Sequence, residues 1–159
     1  MEQLNLSLSI DMAWWRDYQG LLERAITPLT DDQLKLRLGT QRSTGEIIAH
    51  MVAVRAWYFH GVLGEGGEDI AAMTGWDNAD APFRSSAELL FGFEQTWTLM
   101  TACIARWTDA DLNDKFFINW RNRDESRGWV VWHVLEHEIH HGGELSLTLG
   151  SFGLPGVEV

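Results

Sequence analysis

His133, His137, His140 and His141 crowd one short segment, Trp132-His133-Val134-Leu135-Glu136-His137-Glu138-Ile139-His140-His141, and they are four of the six histidines in the chain. Neutral imidazole is the commonest protein ligand for transition metals. On a helix, His137 and His141 fall one turn apart on one face, so both can reach a single ion. Most such sites need at least a third protein ligand. His50, amid Ile47, Met51, Val54 and Trp57, is the best-placed third; His60, at a glycine-rich helix end, is a poorer one. Three imidazoles with no carboxylate ligand leave a position for water or substrate, which is the catalytic rather than the structural pattern. The bland alternative is an amphipathic helix with solvated imidazoles and a hydrogen-bonded core His50.

Glu138 is the second group of interest. A helical wheel puts it near the middle of an apolar face made by Val131, Val134, Leu135, Leu145 and Leu149. A carboxylate there is costly unless paired. As a catalytic residue it would be a general base toward a water on the metal; as a support it would orient a ligand's second ring nitrogen. The competing reading sends it to a loop or to an arginine such as Arg42 or Arg55. The same wheel places His133 and His140 toward a rim or solvent. His137-Glu138-Ile139-His140-His141 also satisfies the zinc-protease pattern literally, but a short acidic chain offers no evident substrate-binding strand or extended cleft. Cys103, between Met100 and Ile104, reads as core.

Helices must carry these groups. Apolar spacing predicts a first helix over about 6–25, with Leu8, Ile10, Met12, Trp15, Tyr18, Leu21 and Leu22 on its stripe. Ser43 with Glu46 is a capping box that opens a second helix carrying His50. A third begins near Ser85-Ser86-Ala87-Glu88 and runs to about Arg106. The fourth runs from about Gly128 to Leu149. Short capped turns follow Thr30 and Thr108, a brief strand is expected over 115–120, and Asp124 to Gly128 reads as its break. A loop of roughly twenty residues containing Gly75-Trp76-Asp77-Asn78 separates the second and third helices, and loops that long are often functional. Trp57, Trp132 and that loop are expected to wall a pocket. The fold class is therefore all-α, a four-helix bundle with long crossover connections, as a single domain over 1–159.

Composition narrows the partners. The formal net charge is −11, which argues against a nucleic-acid surface, since phosphate neutralisation needs clustered Lys and Arg. No apolar run is long enough to span a membrane, and the start of the chain lacks the features of a secretory signal. A single cysteine fits a cytoplasmic protein.

On these residues the chain resembles the DinB/YfiT-like superfamily of metal-dependent bundle proteins. The likeness covers nearly the whole chain. It rests on the inward His50 in Thr44-Gly45-Glu46-Ile47-Ile48-Ala49-His50. It rests equally on His133 through Glu144, followed by Leu149-Gly150 and a proline-containing tail. Gly142 stands where the family usually has Arg, and Glu144 where it usually has Gln. The resemblance implies His50, His137 and His141 as ligands of zinc, nickel or a similar divalent ion, and a homodimer. It also implies an activity such as a thiol-dependent S-transferase or a hydrolase acting on a small-molecule substrate, with a low-molecular-weight thiol as a second cofactor. The alternative is a non-catalytic, metal-binding stress-response dimer.

Overall fold

The computed structural model describes residues 6–158. Its four long helices are α1 (Leu6–Ile26), α3 (Thr44–Ala56), α5 (Ser86–Arg106) and α7 (Arg127–Ser151). They form the expected four-helix bundle. The side chains of 6–11, including the expected stripe residues Leu8 and Ile10, lie outside the described residues.

Helix α3 is the central element and packs against both α5 and α7. Ile47, Ile48, Met51, Val52, Ala53 and Ala56 on it are all buried, so it shows apolar surface on every side rather than along one stripe. Its start is the predicted box: Ser43 Oγ accepts from Glu46 N–H, and Glu46 accepts from Ser43 N–H. The short helices α2 (Asp31–Leu34) and α6 (Asp109–Leu112) begin the same way, at Thr30 and Thr108, and α5 does so at Ser85.

Three local features differ from the expectation. Helix α3 reaches its glycine-rich end not as an α-helix but through a π-helical turn, Trp57–Val62. The long loop contains a further helix, α4 (Glu68–Met73). The segment read as a strand break is itself a strand: β1 (Lys115–Ile118) pairs antiparallel with β2 (Arg123–Ser126). The tight connection between them needs the left-handed Asn122, φ 53°, a conformation that Asn tolerates better than most residues.

Two glycines set helix approach. A Cβ on Gly142 of α7 would lie 1.9 Å from the Tyr18 hydroxyl of α1, which donates to the Glu138 carbonyl at 3.3 Å. A Cβ on Gly92 of α5 would lie 2.4 Å from the Trp76 ring. Gly92 thus opens the slot in which Trp76 seats, and Trp76 fixes the loop ahead of α5. Among the described residues no helix is long and apolar enough to cross a membrane.

Candidate metal centre

The fold brings His50 of α3 together with His137 and His141 of α7, their ligand-capable atoms all within 4.8 Å of one another. His137 Nε2 lies 3.0 Å from His50 Nε2, across 87 residues of chain. That is near the spacing of two nitrogens that share one ion at roughly 2.0–2.1 Å each. The helical periodicity that puts 137 and 141 on one face supplies two donors, and the α3–α7 packing supplies the third.

The other ring nitrogens explain the orientation. His50 Nδ1 meets Asp77 Oδ2 at 2.6 Å, and His141 Nδ1 meets Glu144 Oε2 at 2.6 Å. A carboxylate on Nδ1 fixes the tautomer and leaves Nε2 with a lone pair for a metal. His137 Nδ1 is buried and meets no protein acceptor or donor among the described residues. Burial, then the neighbouring imidazoles, pushes the His137 pKa down to about 2. Burial likewise lowers that of His141, against the opposing pull of Glu144. These rings stay neutral, as metal ligands must. The donor set therefore fits a divalent ion.

Glu138 meets Arg55, the partner that the competing reading named. Its fully buried carboxylate accepts from Arg55 Nε at 2.5 Å and from Trp15 Nε1 at 2.8 Å. Both oxygens are engaged, and the residue is not part of the imidazole cluster. Arg55, the alternative partner, is itself fully buried. It donates to the Phe93 carbonyl at 3.0 Å and to Gln19 Oε1 at 2.5 Å, and its guanidinium lies 3.9 Å from the centre of the Phe93 ring. One ion pair thereby ties α1, α3, α5 and α7 together.

The remaining histidines separate as the wheel suggests. His140 is exposed. His133 is half-buried and stacks on Trp129, with centroids 4.6 Å apart and planes at 9°. His60 Nδ1 lies 3.0 Å from the Glu65 carbonyl, away from the cluster. A chamber of about 400 Å³ opens beside His137, walled by Trp57, Tyr58, Trp120 and His133, with no lysine or arginine on its lining. Trp120 Nε1 donates to the Tyr58 hydroxyl at 3.0 Å, which fixes two of these walls. Trp57 is thus a wall, as expected, but Trp132 is not: it is exposed and borders a separate apolar groove of about 750 Å³ between α1 and α7. No histidine lines that groove.

Sequence reasoning named Trp57 and the long loop as walls of a pocket but missed Asp77 as the partner of His50, and Tyr58 and Trp120 as further walls. The available signal for Asp77 was its place in a long loop beside a tryptophan; nothing in a period or spacing ties it to His50.

A profile of the DinB superfamily matches residues 15–145. The chain belongs to the DinB superfamily. A crystal structure of a DinB-like protein from Bacillus cereus is similar in fold, with a TM-score of 0.73, covering 93% of this chain and 94% of that one at 20% identity. No curated protein matches the chain. The matched span holds all three histidines and both carboxylates behind them. In this DinB chain Glu144 makes the contact that orients His141.

Proposed function

We propose that this protein is a metal-dependent enzyme whose divalent ion, zinc or nickel, is held by His50, His137 and His141. One observation carries the reading: three imidazoles converge, two of them backed by carboxylates, and no carboxylate joins the cluster itself. When bound, such an ion is a Lewis acid that makes a water or thiol acidic enough to act as a nucleophile near neutral pH.

The chain's own residues do the rest. Asp77 and Glu144 hold two rings in register. Tyr58, Trp57 and Trp120 wall the open chamber beside His137 and offer flat apolar surface to a small-molecule substrate. Glu138 acts through packing only. Transfer to or from a low-molecular-weight thiol is the leading reaction class and hydrolysis the second, both on family grounds.

A cytoplasmic setting belongs to this reading, supported by the lone, buried Cys103. So does a homodimer, supported by the α1–α7 groove with its exposed Trp14 and Trp132. Sedimentation velocity tests the dimer, and a monomer at micromolar concentration rejects it.

The metal assignment is tested by elemental analysis of untagged protein. His50→Ala, His137→Ala and His141→Ala should each lose the ion while far-UV circular dichroism keeps its helical signal. Unchanged metal content in all three would overturn the ligand set.

A further inference from the structure

The loop that carries Asp77 borders a second cavity. Asp77 and Asn78 line the aromatic chamber, and they also line a groove of about 500 Å³ whose other walls include Lys35, Arg37, Arg42 and Arg84. That volume lies within the small-molecule range of roughly 300–1,000 Å³. The chain has only twelve lysines and arginines and a formal net charge of −11. Four of those cations line this one groove, and the two carboxylates on its lining, Glu46 and Asp77, are both occupied. Arg37 Nη2 reaches both Glu46 oxygens at 3.1 Å, and Asp77 holds His50.

The positive surplus falls on Arg42 and Arg84. Arg42 is exposed and makes no ion pair among the described residues. Arg84 lies over Trp76, its guanidinium carbon 4.0 Å from the ring centre. Its Nε meets no acceptor, and Glu88, the carboxylate it pairs with, is 4.0 Å away. Lys35 Nζ sits 5.5 Å from the centre of the exposed Phe83 ring beside them. A planar guanidinium held on an aromatic face is pre-organised for a carboxylate or phosphate. A concave cationic surface on an otherwise acidic molecule concentrates anions there.

We propose that this groove binds the anionic end of a small carboxylate- or phosphate-bearing molecule, beside the imidazole cluster. Arg84 and Arg42 grip the anion, with Trp76 and Phe83 against the apolar part. The groove and the aromatic chamber meet at Asp77, so the two cavities suit two unlike molecules, one anionic and one uncharged. That division favours group transfer over hydrolysis. The proposal rests on the metal-site reading for what the bound anion does next, and is independent of it for binding.

Calorimetric titration of the purified full chain at low ionic strength tests it, with succinate, inorganic phosphate and neutral succinamide as probes. At least one anion should bind, succinamide should not, and added salt should weaken the anion. Arg42→Ala combined with Arg84→Ala should lower affinity at least tenfold with metal content unchanged. Arg84→Lys, which keeps the charge and removes the fork, should fall between. Arg42→Ala alters an exposed side chain and serves as the variant sure to fold. Three results would overturn the groove: no binding by either anion, equal binding of succinamide, or an anion affinity untouched by the double variant, as when the anion sits on the metal. If all three histidine variants keep their metal while the arginine variants lose succinate, the metal reading fails and the groove stands. The reverse pattern rejects the groove alone.

Discussion

At the scale of single residues, the ligands and their supports must be judged separately. His137 and His141 are legible because helical geometry forces residues four apart onto one face, and His50 because it interrupts an apolar face. Asp77 is not legible, because a loop has no period and its contact with His50 depends on where Trp76 seats. Yet Asp77 and Glu144 fix which nitrogen of His50 and His141 is left for an ion. Asp77→Ala and Glu144→Ala are each expected to weaken metal affinity about 10–100-fold, with the fold intact, as read by competition with a chromogenic chelator. Glu138 illustrates the opposite case. The wheel correctly marks it as buried, but burial alone does not distinguish a base from half of an ion pair. Its 2.5 Å contact with Arg55 decides that. Removing one partner of a fully buried pair strands the other, at a cost of about 3–5 kcal/mol. Glu138→Ala should therefore lower the urea midpoint sharply while refolded protein keeps its metal. A loss of metal at unchanged stability would return Glu138 to the site.

At the scale of elements, the helix starts were the most readable part of the chain, because a capping box is a local pattern of two residue types at fixed spacing. The short α4 and the strand β2 were not readable. Six residues between glycines give no helical period, and Arg123 to Ser126 alternates no apolar face, so only pairing with β1 defines it. The boxes also carry a pH signature. Glu46, Glu88 and Asp111 all have pKa values below the ordinary carboxylate range, foremost because backbone N–H groups of Ser43, Ser85 and Thr108 bond their charged forms. A folded-state pKa below the unfolded one means that the unfolded chain binds more protons in the interval between them. The stabilisation is thus complete above the unfolded values, near 4.5 for Glu and 3.8 for Asp, and is lost as pH falls through the lower folded values. Glu46→Gln with Glu88→Gln should flatten the fall in chemical-denaturation stability below about pH 5. An unchanged slope would mean that the acid sensitivity arises elsewhere.

At the scale of the whole molecule, the question is whether the metal holds the bundle together or the bundle holds the metal. Two buried apolar clusters fill the interior, one around Leu22, Ile47, Met51 and Phe93, the other around Trp15, Phe59, Met100 and Val134. The Arg55–Glu138 pair joins all four long helices without touching the imidazole cluster. The three histidines thus decorate a framework that apolar burial already specifies. A ligand that binds only the folded state still adds stability, about 2.7 kcal/mol when its free concentration is 100 times the dissociation constant. At roughly 2–4 °C per kcal/mol for a domain of this size, chelation should lower Tm by about 5–10 °C. The helical signal at 20 °C should remain, and re-adding the ion should restore Tm. A structural zinc domain behaves differently, because removal of its ion abolishes the fold. Circular dichroism melts with and without a chelator separate the two outcomes. Collapse of the helical signal on chelation would assign the ion to architecture and favour the non-catalytic reading, whereas a folded, metal-free bundle leaves the imidazoles free to serve chemistry.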